Sequence, residues 1–209
     1  MSRTLVIDCA TEACSVALFE DGVLLEGDWR LLGRGHAEQL VPMIAALPDK
    51  GRAGRIAVDI GPGSFTGIRV GLAAAKALAL AWSAELVGYG ALELVAAMAR
   101  EGAGGGAVEV AMTGGHGEWF VQRFASDGRA AGDPVSLTPA AAASAATSAL
   151  VAGSQADALR ALRGFGQSRA LLPDARCFVL LPASALTSNP HPAYGRAPDA
   201  RLPLAAQVA

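Results

Sequence analysis

Ile60-Gly61-Pro62-Gly63-Ser64-Phe65-Thr66-Gly67-Ile68-Arg69-Val70-Gly71 joins two runs of opposite character. Before it comes Ile56-Ala57-Val58, short and β-branched, which predicts a strand. After it comes the alanine-rich run Leu72 to Trp82, which predicts a long helix. Strand, glycine-rich turn, helix is the layout of a phosphate-cradling loop. Glycine lets the backbone turn where a Cβ would clash, and the first N–H groups of a helix have no intrahelical acceptor. Ser64 or Thr66 suits the N-cap. Two readings stay open: an anion or nucleotide contact through Gly63, Ser64, Thr66 and Gly67, or a capped elbow that only aims the helix. The Lys-Ser/Thr pair of a P-loop is missing, and Lys76 comes more than two turns later, which excludes a Walker-type NTPase.

Upstream, Thr4 to Ile7 predicts a strand ending in Asp8. Ser15 to Phe19 predicts a second, Glu20-Asp21-Gly22 a hairpin turn, and Val23 to Trp29 a third. His36 to Leu47 has helical spacing through Leu40, Val41, Ile44 and Leu47, and Pro42 pushes the expected helix start past His36. Downstream, Glu85 to Tyr89 predicts a strand and Ala91 to Arg100 a helix. The order βββ-α-β-α-β-α is that of a ribonuclease-H-like unit, the half-domain of actin-like ATPases (the ASKHA group). This is a topological analogy, and topology alone does not give function. After a glycine-rich linker the pattern restarts. Strands are expected at Ala107 to Met112, Glu118 to Phe124 and Val135 to Leu137, a helix over Ala140 to Leu150, a short strand at Val151-Ala152 and a last helix over Gln155 to Leu162. The expectation is therefore an α/β protein of two lobes. Residues 1–101 form the first, 102–106 the linker, and 107–209 a smaller, degenerate second lobe whose prolines from Pro182 onward draw it out into an extended tail.

Composition narrows the function. The chain has 209 residues, enough for two small lobes, and 52% of them are hydrophobic against 17% charged. Mean hydropathy is +0.36, which either reflects alanine usage or marks apolar surface for a partner. No unbroken apolar run has the roughly 18 residues of a membrane span, and an apolar run of three before Asp8 is no signal peptide. Three cysteines, Cys9, Cys14 and Cys177, form no C-x-x-C pair, which speaks against a zinc site or disulfide scaffold and for a reducing cytoplasm. A net charge of −2 without a Lys/Arg block argues against direct nucleic-acid binding.

Candidate chemistry is sparse. His36, His116 and His191 have no second ligand at metal spacing, so no metal site is expected and capping or surface roles suit them better. Ser64 is not in G-x-S-x-G and has no triad partners in order. Asp8 could contact an ion or phosphate, or tie down its own turn, Cys9-Ala10-Thr11, which has no glycine. The helix after the loop places Ile68, Leu72, Ala75, Ala79 and Trp82 along one stripe and apolar residues over most of the rest. A helix apolar nearly all round is buried on both sides. One side can pack on its own sheet, and a partner subunit or the second lobe must cover the other.

Leu5-Val6-Ile7-Asp8-Cys9-Ala10-Thr11-Glu12-Ala13-Cys14-Ser15, His36-Ala37-Glu38-Gln39-Leu40 and Gly61 to Arg69 closely resemble the bacterial TsaB (YeaZ) family, and Pro192-Ala193-Tyr194-Gly195-Arg196 looks like its closing segment. The resemblance is dense over residues 4 to 95 and thin beyond. It implies two actin-like lobes and a non-catalytic subunit of the machinery making N6-threonylcarbamoyladenosine at tRNA position 37. It implies pairing with the catalytic paralogue TsaD through first-lobe helices, TsaE as the ATPase of the complex, self-pairing in TsaD's absence, and tRNA contact only through the complex. No cofactor is then expected to be tightly bound, ATP entering weakly or at the subunit junction. The label peptidase M22 or glycoprotease-like comes from the kinship with TsaD. On this resemblance, the expected partner surface is Leu40, Ile44, Ile68, Leu72, Ala75 and Ala79. The chain departs from the family where a D-A-R-x-x-E-V-Y segment is usual: it reads Thr113-Gly114-Gly115-His116-Gly117-Glu118-Trp119-Phe120. Two alternatives stand beside this reading, a self-sufficient ATP-using actin-like enzyme and a metallopeptidase.

Overall fold

The computed structural model describes residues 2–101, 103 and 105–195. Strands β1 (Arg3–Asp8), β2 (Ala13–Glu20) and β3 (Val23–Leu31) form an antiparallel meander. Asp21 and Gly22 turn the first hairpin with positive φ, as a tight turn between right-twisted strands requires. Helix α1 (His36–Ala46) then leads to β4 (Arg55–Asp59), helix α2 (Phe65–Trp82) to β5 (Glu85–Tyr89), and helix α3 (Ala91–Arg100) out of the lobe. Both β4 and β5 run parallel to β1, as helical crossovers dictate.

The second sheet repeats the plan. Antiparallel β6 (Val108–Thr113), β7 (Trp119–Phe124) and β8 (Val135–Leu137) precede α4 (Pro139–Ala145), β9 (Leu150–Ala152), α5 (Ala156–Arg163) and β10 (Gln167–Arg169). Its order, β10-β9-β6-β7-β8, matches β5-β4-β1-β2-β3 of the first sheet. Two lobes of ribonuclease-H-like topology are thus present, the second with shortened strands and helices.

Period-two alternation sorts the first sheet. Leu5, Ile7, Val16, Leu18, Ile56 and Val58 face one side and form a core with α1 and α2. Val6, Ala17, Phe19, Ala57, Val87 and Tyr89 face the other, against Leu94 of α3 and a 3-10 segment, Ala175–Leu180. The remaining apolar face of α3, Leu92, Val95, Ala96 and Ala99, packs toward Val108 and Val110 of β6. α3 is therefore the hinge block between the lobes.

Several expectations change. α1 starts at His36, with Pro42 inside it. Pro42 lies on the solvent side, where water can take the carbonyl that its missing N–H leaves free. The helix expected over 140–150 stops at Ala145, and Leu150 already belongs to β9. The segment that follows β10 turns back to the first lobe. The Trp29 indole donates to the Pro173 carbonyl (3.2 Å), the Ala175 N–H donates to Ser15 Oγ (2.9 Å), and strand β11 (Thr187–Ser188) pairs with β5. Residues 173–193 thus rejoin the first lobe, through two 3-10 segments, Ala175–Leu180 and Ala183–Ala185, and a strand of their own. Arg196 to Ala209, including Pro198 and Pro203, lie outside the described residues. So do Gly102 and Gly104 of the linker.

α2 also differs. Over its 18 residues it reaches a mean hydropathy of 1.3, long and apolar enough to cross a membrane by length and composition. Its buried residues, Gly67, Ile68, Gly71, Leu72 and Ala75, pack on the sheet. Arg69 and Lys76 share the opposite side with Ala73, Ala77 and Leu80, all exposed. The arrangement is that of a core helix with one side uncovered. Of the two covers expected for that side, the second lobe does not supply one among the described residues.

Candidate functional site

The glycine loop is held from four directions. Ile60 N–H donates to the Tyr89 carbonyl (2.9 Å) and Gly61 N–H to Asp59 Oδ1 (2.7 Å). Ser64 N–H donates to the Ala10 carbonyl, and the Ala193 N–H reaches back to the Ile60 carbonyl (2.6 and 2.8 Å). Ser64 is the N-cap of α2, its Oγ accepting from Gly67 N–H at 3.2 Å. Gly63 and Gly67 are dictated by proximity. A Cβ at Gly63 would sit 2.0 Å from the Ala10 carbonyl oxygen, and one at Gly67 1.9 Å from that of Cys9. These glycines let the first turn of α2 seat directly on the β1–β2 turn.

Asp8 lies in a row across three strands. The β1–β4 register brings Asp8 beside Asp59, and the β4–β5 register pairs Asp59 with Tyr89. All three are buried. Tyr89 OH donates to Asp8 Oδ2 (3.0 Å) and contacts the Ile7 carbonyl (3.2 Å). Asp59 Oδ1 is taken by Gly61, which leaves Asp8 Oδ1 and Asp59 Oδ2 with no donor except a proton shared between them. Burial pushes the Asp8 carboxyl up to about 6, against the opposing hydrogen bonds from Asp59 and Tyr89. Burial and then the Asp8 charge push Asp59 well above the usual carboxylate range. The two carboxyls thus share a proton that either alone would give up at lower pH. Asp59 and Tyr89 escaped the sequence reading, although a second carboxylate ending a parallel strand beside β1 was the available signal.

Between the lobes lies a cavity of about 830 Å³. Thr11, Gly63 and Ser64 form its floor. Arg69, Phe120 and Tyr194 stand on its walls, with the β6–β7 turn at Thr113 to His116 opposite. The Arg69 guanidinium lies 3.6 Å above the Phe65 ring and donates through Nε to Tyr194 OH (3.0 Å), so tail and α2 are clasped together. Of the residues expected at a nucleotide or anion site, Gly63 and Ser64 line this cavity, and Asp8, Thr66 and Gly67 do not. The residues present fit a triphosphate poorly: the Ser64 and Gly67 N–H groups already have acceptors, and Ala10 and Thr11 side chains occupy the turn. Among the described residues no group of three or more His, Cys, Asp and Glu could hold a metal. His36 is buried rather than at the surface, its ring Nε2 3.2 Å from the Ala13 carbonyl oxygen.

The residues expected at the partner surface also move. Leu40, Ile44, Ile68, Leu72 and Ala75 are buried in the core of their own lobe, and Ala79 packs partly buried against it. What α2 offers outward is the opposite stripe, with Leu80 85% exposed toward the C-terminal end of the helix.

Topology and cleft together define a two-lobed protein of the actin-like, ribonuclease-H-like class. A family model described as TsaD, tRNA N6-adenosine threonylcarbamoyltransferase, matches residues 30–166. The chain belongs to that family, and within it to the TsaB (YeaZ) group. The tRNA threonylcarbamoyladenosine biosynthesis protein TsaB of Escherichia coli is 39% identical over 99 residues, covering 45% of this chain and 42% of that protein. The protein of the same description from Haemophilus influenzae is 41% identical over 80 residues, covering 36% and 34%. The matched stretches thus span less than half of these curated relatives. The solved structure of YeaZ from Pseudomonas aeruginosa superposes with a TM-score of 0.72 at 29% identity, covering 86% of this chain and 89% of that one.

Proposed function

We propose that this chain is a non-catalytic subunit in the synthesis of N6-threonylcarbamoyladenosine on tRNA, acting in the cytoplasm by holding the catalytic TsaD protein in its working arrangement. The observation that carries the reading is the uncovered side of α2. Ala73, Ala77 and Leu80 lie exposed on the side that also carries Arg69 and Lys76, and Val41 of the neighbouring α1 is exposed as well. Small residues let a partner helix approach closely, and the leucine toward the C-terminal end supplies an apolar anchor. In TsaD's absence a second copy of this chain would cover the same side. TsaE and tRNA would join through the complex. A nucleotide would bind weakly or at the junction, because the Ser64 and Gly67 N–H groups already have acceptors.

Leu80→Asp and Ala77→Glu should leave the first lobe folded and abolish co-purification with TsaD from the same organism. Undiminished pairing with both variants would overturn the assignment of this side. Threonylcarbamoylation of tRNA by TsaD, TsaE and the threonylcarbamoyl-adenylate donor, with and without this chain, tests the role itself. Equal rates would remove it.

A further inference from the structure

Cys9 and Cys14 lie on facing sides of the β1–β2 turn. The antiparallel register ends at Asp8↔Ser15, and one step further places Cys9 opposite Cys14, a cross-strand pair. Their Sγ atoms are 3.5 Å apart and both side chains are buried, whereas Cys177 stands in a different part of the core. A disulfide bond is about 2.05 Å long, so the sulfurs need to close by only about 1.5 Å. The residues between them, Ala10, Thr11 and Glu12, border the interlobe cavity, which brings a small solute to within one layer of the thiols.

We propose that Cys9 and Cys14 are a redox modification site, a dithiol converted to a disulfide by a small peroxide that enters through the cavity floor. The Cys14 thiolate attacks one peroxide oxygen. The O–O bond breaks, hydroxide leaves and is protonated to water, and Cys14 becomes a sulfenic acid. The Cys9 sulfur then attacks Cys14 Sγ, the S–S bond forms, the S–O bond breaks, and the Cys9 proton leaves with the departing hydroxide as a second water. Two thiols lose two electrons and one peroxide gains them. The hydrogen bond from Cys9 holds the Cys14 thiol below its usual range, and the same contact, with burial, raises Cys9, so Cys14 attacks first. The consequence reaches the glycine loop. The Cys9 carbonyl is the surface on which Gly67 rests, and the Ala10 carbonyl holds Ser64, so drawing Cys9 toward Cys14 shifts the seat of α2.

The test treats the folded protein with hydrogen peroxide, then unfolds it, alkylates free thiols and digests with trypsin. The expected product is the Thr4–Arg30 peptide with both thiols blocked to alkylation, restored by reductant. Cys9→Ser should instead accumulate a dimedone-reactive Cys14, and Cys14→Ser should leave Cys9 unoxidised. Hydrogen exchange at Ser64 to Gly67 should quicken in the oxidised wild type. The proposal is overturned if both thiols remain alkylatable while Cys177 oxidises, if the disulfide forms only in unfolded protein, or if Cys9→Ser gives no dimedone adduct.

Discussion

Replacing both Asp8 and Asp59 by asparagine should change the pH dependence of stability in a way that replacing Asp59 alone does not. In the folded chain Asp8 titrates at about 6, against an ordinary value of 3.8. A raised carboxyl binds its proton more tightly folded than unfolded. Its contribution to stability is therefore fully present below the unfolded value and is lost as pH rises through the folded one. At about 1.36 kcal/mol per unit, 2.2 units amount to about 3 kcal/mol, of which about 2 kcal/mol is lost between about pH 4.5 and about pH 7.5. Burial and the neighbouring Asp8 charge raise the Asp59 carboxyl as well, so its contribution has the same sign. In Asp59→Asn the carboxamide takes over both roles, donating to Asp8 and accepting from Gly61, so the Asp8 step persists and only the Asp59 contribution disappears. In the double variant neither group ionises and the step itself disappears. An unsatisfied amide N–H costs about 1–3 kcal/mol at every pH, so the absolute level is not the readout. The assay is urea unfolding at a series of pH values, each variant referred to wild type so that shared carboxylates cancel. A double variant whose profile runs parallel to wild type between these pH values would refute the shared-proton pair.

Further substitutions probe the loop and the two sides of α2. Gly67→Ala, with its Cβ 1.9 Å from the Cys9 carbonyl oxygen, should destabilise the protein by about 3 kcal/mol or more in denaturant melts, because backbone, not a side chain, must yield. Ser64→Ala removes the cap of α2 and should cost about 1 kcal/mol in the same measurement. Leu72→Ala, in the core, should cost about 2–5 kcal/mol, whereas Leu80→Ala should fall within about 0.5 kcal/mol of wild type. Equal costs at Leu72 and Leu80 would mean that the two sides of the helix are wrongly distinguished.

The repeated βββ-α-β-α-β order was legible because its signals are local: β-branched runs, a hairpin turn at Asp21-Gly22 and a serine cap at Ser64. The orientation of α2 was not. Where nearly every position is apolar, two opposite stripes look equally suited to burial, and only the position of the sheet decides that Leu72 turns inward and Leu80 outward. The single row of Asp8, Asp59 and Tyr89 joins residues far apart in the chain through strand register, which no local pattern encodes. Pro42 misled because the penalty for proline inside a helix shrinks on the solvent side. The short strands β10 and β11 have two or three residues each, too few for any periodicity to register.

The return of residues 173–193 to the first lobe governs how the protein is made. On a ribosome, the edge of β5 that β11 eventually covers stays bare until Thr187 and Ser188 have been synthesised, and the second lobe is built while that edge waits. An unpaired strand edge is a template for pairing between chains. From Tyr89 until Thr187 this chain therefore carries an open seam, and the segment that seals it is almost the last part of the described fold to be added.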